Sequence, residues 1–129
     1  MVPVSVGELL DKISILRIKL EKIPTPEKLV NVRTEYDLLT SIMHSQLKIT
    51  EEDELFLKLY QLNLKFWEYH DWQRLRWKHV KDGEIDFELF KRTREEHELN
   101  DERAKLKREI NEQYQSEIIE EKFFTHLKI

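Results

Sequence analysis

The chain contains no cysteine, which excludes disulfides, thiolate metal sites and cysteine nucleophiles together and points to a cytoplasmic protein. Two glycines and three prolines in 129 residues are too few turn formers to join a sheet of many strands. No apolar run approaches the ~18 residues that a membrane span needs. The opening MVPVSVGELLDK has no basic leader and meets Glu8 and Asp11 early, so it does not read as a secretory signal. A net charge of −4 argues against generic attraction to nucleic acid or acidic lipid and leaves room only for a local basic patch.

What the chain has in abundance is charge of both signs, 37% of its residues, as in long helices whose outer faces carry ion pairs. We therefore expect one all-α domain over residues 1–129, a small helical bundle of four or five helices. An antiparallel helical hairpin should open it and a long charged helix should close it.

Ser5 with Glu8 three residues later forms a capping-box pattern, and Val6, Leu9, Ile13, Leu16, Leu20 and Ile23 follow at helical spacing. This predicts a first helix over roughly 5–23. Ile15 and Ile18 lie off its seam, so the helix should be covered on more than one side, inside the bundle or at a homodimer interface. Thr25 and Pro26 start a second helix that runs to about Gln46. Thr50, followed by three acids, should cap a third over roughly 51–80, whose aromatic residues are spread around it. Asp82-Gly83 is a turn signal and Asp86 a cap, so a last helix begins near Phe87 and extends, with or without a break near Asn100, towards Phe124.

Three constellations carry chemical potential. Along the last helix His97, Asp101, Ala104, Arg108 and Asn111 step by four and three, which predicts a polar groove centred on Ala104 or a solvated face. Leu99, Leu106, Ile110 and Tyr114 anchor the neighbouring face. Glu-x-x-Asp occurs as Glu8/Asp11, Glu68/Asp71 and Glu98/Asp101, a spacing that aims two carboxylates the same way and suits a magnesium ion. If one binds, Glu68, Asp71, Glu98 and Asp101 are its ligands. Finally, KFWEYHDWQRLRWKHVK over 65–81 interleaves aromatic and basic residues as base-stacking surfaces do. Because Trp67, His70, Arg74 and Trp77 share a helical face, a partly buried aromatic seam with an internal Arg is the preferred reading. On helix one, Glu8 and Lys12 stand at the spacing of an ion pair.

The opening SVGELLDKISILRIKLEKI, the element around Trp67 and Asp71, and the closing NDERAKLKREIN with Ile118, Ile119, Glu120, Glu121 and Lys122 resemble an uncharacterised family, a domain of unknown function found in short all-helical bacterial and phage proteins. The resemblance implies a small all-helical domain, some of whose relatives occur in a surface-polysaccharide or glycosyltransferase setting. It marks Glu8, Asp11, Lys12, Lys19, Trp67, Asp71, Asn100, Asp101, Arg103, Lys107 and Asn111 as pattern positions and lends them no activity.

Two functional readings follow. The first is a helical interaction protein, dimeric and without a cofactor. Its face of Asn100, Asp101, Arg103, Lys107, Arg108 and Asn111 meets an acidic protein partner or a small anionic ligand, with the cations on the charge and the amides positioning it. The alternative is a magnesium-dependent hydrolase or transferase of nucleotides or nucleotide sugars, with the four carboxylates on the metal and Lys107 or Arg108 on phosphate. Nucleic acid and a membrane span are both disfavoured as partners.

Overall fold

The computed structural model describes residues 4–114 and the pairs Phe123–Phe124 and Leu127–Lys128. Four helices are present among them: α1 (Val6–Lys22), α2 (Pro26–Leu47), α3 (Glu54–Trp77) and α4 (Phe87–Gln113). The fold is an all-α bundle, and none of the described helices is long and apolar enough to cross a membrane. Phe123–Phe124 pairs antiparallel with Leu127–Lys128 in a minimal ribbon. The last helix therefore ends at Gln113 and does not reach Phe124, which pairs in this ribbon, while residues 115–122 lie outside the described residues.

Local chemistry sets the helix boundaries. Ser5 caps α1 by accepting the Glu8 N–H at 3.1 Å. Only half of the capping box forms, because the Glu8 carboxylate goes to Lys107 at 2.7 Å instead. Pro26 occupies the first turn of α2, although the Thr25 side chain makes no capping bond. The start of α3 is set by Asp53, which accepts from both Leu55 and Phe56, so the helix begins three residues after the expected Thr50 boundary. Asp86 does the same for α4 through Glu88 and Leu89, and α4 then passes Asn100 without a break.

α1 is the hub. It packs against α2, α3 and α4, whereas among the described helices α2 packs on α1 alone and α4 on α1 and α3. Leu10, Ile13, Leu16 and Ile18 of α1 are buried, and Ile15 is half-buried. The core joins these α1 residues to Met43, Ile49, Leu55, Phe56, Leu59, Tyr60 and Ile110, with Trp67 and Leu106 packed at its edge.

No residue between Trp67 and Leu106 belongs to that core cluster. Beyond this line α3 and α4 continue as an antiparallel pair. Tyr69 meets Thr93, His70 meets Glu96, the Arg92 guanidinium stacks 4.4 Å over the Trp72 ring, and Arg76 grips Asp86 at 2.5 Å. The molecule thus has a base, where α1 lies across the lower halves of α3 and α4, and an arm in which α3 extends roughly 15 Å beyond Trp67 at the helical rise per residue.

Candidate functional site

At the junction of base and arm three helices bring polar side chains together. Asn63 of α3 is buried and donates both amide hydrogens to α1, to the Asp11 carboxylate at 2.8 Å and to Ser14 Oγ at 2.7 Å. Ser14 spends its own proton on the Asp11 carbonyl at 2.7 Å, so it accepts from Asn63. These bonds orient the amide, because the opposite orientation would face its oxygen to a carboxylate. The Asn63 oxygen then receives Arg103 Nη1 of α4 at 3.3 Å.

Arg103 is the unusual member. It is half-buried, its guanidinium lies 4.8 Å over the Phe66 ring, and Nη2 donates to Asn100 Oδ1 at 3.4 Å. Its polar partners are two neutral amides. Among the described residues no carboxylate comes within ion-pair distance of it, in a chain where other arginines of α1 to α4, among them Arg17, Arg33, Arg76 and Arg92, have one. It opens onto a cavity of about 350 Å³ walled by Ile15, Ile18, Phe66 and Trp67, with Asn100 beside it and the His70–Glu96 pair at the arm side. A cation held in place by amides and an aromatic face, next to a space large enough for a small molecule, can receive an anion without first giving up a partner.

The other predicted contact residues are placed differently. Lys107 is buried and paired with Glu8, and Asn111 is buried with its oxygen on the Gly7 N–H at 2.7 Å. Asn111 thereby caps the first turn of α1, whose N–H groups have no partner within their own helix. The backbones come so close here that a Cβ on Gly7 would stand 2.5 Å from the Lys107 carbonyl oxygen. These two residues fasten α4 to α1. Asp101 is exposed and Arg108 lies near Glu112 at 3.9 Å, so of the predicted set only Arg103 and Asn100 line the cavity. The stripe centred on Ala104 is open to solvent at His97 and Asp101 and turns inward at Asn111, so it does not form a continuous groove.

Glu68, Asp71, Glu98 and Asp101 are all exposed, and Asp71 pairs with Arg74 at 2.6 Å. The four are not brought together, and among the described residues no cluster of three or more acidic or histidine side chains is arranged to hold a metal ion. The aromatic seam also differs from expectation. Phe66 and Tyr69 are the buried members, while His70, Arg74 and Trp77 face solvent, so Arg74 is not internal to the seam. Trp72 is half-buried between Arg76 and Arg92. On α1, Glu8 and Lys12 do not pair with each other. Lys12 reaches Glu35 of α2 at 3.5 Å.

The sequence profile of a family described as Family of unknown function (DUF6165) matches residues 1–127. The chain belongs to this family. Comparisons of the DUF6165 chain with curated proteins and with solved structures find no match. Several positions that the family resemblance singles out, Asp11, Trp67, Asn100 and Arg103, lie in or beside the junction cluster of this DUF6165 protein, and Glu8, Lys107 and Asn111 form the fastening next to it. Asn63 and Ser14, which complete the cluster, were not identified from the sequence. A lone Asn within an aromatic helix and a Ser within an apolar one carry no spacing signal of their own.

Proposed function

We propose that this protein is a helical binding protein whose ligand is a small anion held at Arg103. The observation that carries the reading is the state of that guanidinium. It is half-buried, positioned by Asn63, Asn100 and Phe66, without a carboxylate partner among the described residues, and faces a cavity of about 350 Å³. A phosphate or carboxylate would take a charge-assisted bond from it, and an apolar or planar remainder would rest on Trp67 and Phe66. The reading needs neither a metal nor a second copy of the chain. It also narrows the expected contact surface, since Lys107 and Asn111 are already engaged between helices.

The test is a thermal-shift titration of the full chain with inorganic phosphate, simple carboxylates, nucleoside diphosphates and nucleotide sugars. A ligand of the folded state raises the apparent stability by about 2.7 kcal/mol at a hundredfold excess over Kd. Arg103→Gln should abolish the shift with an unchanged helical circular dichroism spectrum, and Arg108→Gln should keep it. A flat response across the panel, or an undiminished shift in Arg103→Gln, would overturn the proposal.

A further inference from the structure

The far end of the arm exposes large apolar side chains. Leu75 is 60% and Trp77 56% exposed in the last turn of α3, Ile85 77% in the connection, and Phe87 77% and Phe90 68% in the first turn of α4. Single exposed apolar residues are ordinary, but five within one hairpin end, three of them aromatic, are not. They do not stabilise the fold, since the arm is held by Tyr69, Leu89 and the Trp72–Arg92 stack.

Charge at this end departs from the rest of the chain. Between residues 74 and 94 there are seven Lys and Arg against four acids, in a protein of net charge −4. Asp86 and Glu88 are neutralised by Arg76 and Arg92. Lys78, Lys81, Lys91 and Arg94 are exposed and form no ion pair among the described residues, with Asp82 and Glu84 as the remaining acids. This is the local basic patch that the overall charge left open.

We infer that the end of the α3–α4 arm docks on an anionic lipid surface, with Trp77, Phe87, Phe90 and their aliphatic neighbours entering the interfacial region and the lysines and Arg94 on the headgroups. Three features favour lipid over other occupants. The apolar residues radiate from the end of the hairpin: Leu75 and Trp77, two apart, point to nearly opposite sides of α3, so a fluid apolar phase entered end-on receives them where a rigid groove would not. Leu75 and Ile85 suit hydrocarbon and offer nothing to a nucleic-acid base. A symmetric contact with a second copy would set the same cations against one another.

The experiment uses the full chain with vesicles of phosphatidylcholine alone and of phosphatidylcholine with phosphatidylserine. Co-sedimentation with the anionic vesicles is expected, weakening as salt rises. Brominated lipids should quench the tryptophan fluorescence, and Trp77→Phe should remove that quenching. The triple variant W77S/F87S/F90S, changed only at exposed positions, should lose at least about tenfold in partitioning, while Arg103→Gln should bind vesicles normally, which separates this surface from the cavity. Absence of binding to anionic vesicles overturns the inference, as does equal partitioning of the triple variant. Concentration-dependent self-association that the triple variant abolishes, without vesicle binding, would assign the surface to a second copy and overturn it too.

Discussion

Base and arm are built from the same two helices, yet they are held in different ways. In the base, α3 and α4 meet α1 through fully buried Phe56, Leu59, Ile13 and Ile110. In the arm, among the described residues, they meet only each other, through Leu89, Tyr69, one cation–π stack and ion pairs near the surface. Burial of apolar area is what makes a contact strong, and exposed ion pairs contribute little. One pair of helices thus spans a stable half and a labile half, with the Arg103 cavity where the two join.

The largest expected effect tests that contrast directly. Phe56→Ala should cost about 3–5 kcal/mol of global stability in urea. Leu89→Ala also removes a buried leucine, but it should act mainly on the arm. Hydrogen-exchange protection over 87–94 should fall while the base transition moves much less. Equal losses for the two variants would show that arm and base unfold as one unit.

Next in size is the fastening of α4 to α1. Asn111→Ala leaves the buried Gly7 N–H without its acceptor and should cost about 1–3 kcal/mol. Gly7→Ala should cost a similar ~1–3 kcal/mol by forcing the helices apart at the Lys107 carbonyl. Both are read from urea midpoints, and a neutral Gly7→Ala would refute the close approach.

The two halves should also respond to opposite ends of the pH scale. The Tyr36 and Tyr114 hydroxyls are pushed up to about 12, first by burial and then by donation to the Glu51 and Asp53 carboxylates. Burial and Glu21 raise Tyr60 as well. The neutral phenols are the favoured form, so their contribution is complete below the ordinary tyrosine range near 10 and is lost as pH rises through about 12. In the arm the sign reverses. Asp86 is held below the ordinary carboxylate range by the bond from Arg76, and Glu88 by that from Arg92. Their contribution is present above that range and is lost as pH falls through the lowered values. Circular dichroism and hydrogen exchange against pH should show the base loosening in alkali and the arm in acid. Tyr114→Phe should blunt the first response and Asp86→Asn the second.

The smallest effect sits within the arm. Arg92→Met removes the guanidinium over Trp72 and should weaken the pairing by about 0.5–1 kcal/mol. Tryptophan fluorescence should report it with the base undisturbed.

How far the sequence disclosed this arrangement depends on the distance over which each contact acts. The helices were legible because their signals are local. Ser5 with Glu8, Pro26 and Asp86 act on N–H groups or φ angles within a few residues, and each marks the boundary expected of it. Thr50 misled because Asp53, nearer the helix, took both orphan N–H groups. The polar face of α4 was visible, but its orientation was not. Helical spacing places Lys107 and Asn111 beside Arg103 without showing that Glu8 and Gly7 stand opposite two of them. Asn63 was missed for the same reason, since its role exists only where three helices meet.

The bond from Gly7 to Asn111 spans 104 positions of sequence. During synthesis α1 emerges before the other three helices, yet the residue that accepts its Gly7 N–H is made only after α2, α3 and most of α4. Until then the helix at the centre of the bundle stands with one end undocked. It bridges a longer stretch of chain than the α1–α2 and α3–α4 pairings do, so loop-closure entropy favours those pairings first. Thus α1, made before the other three helices, is fastened to Asn111 only once most of α4 exists.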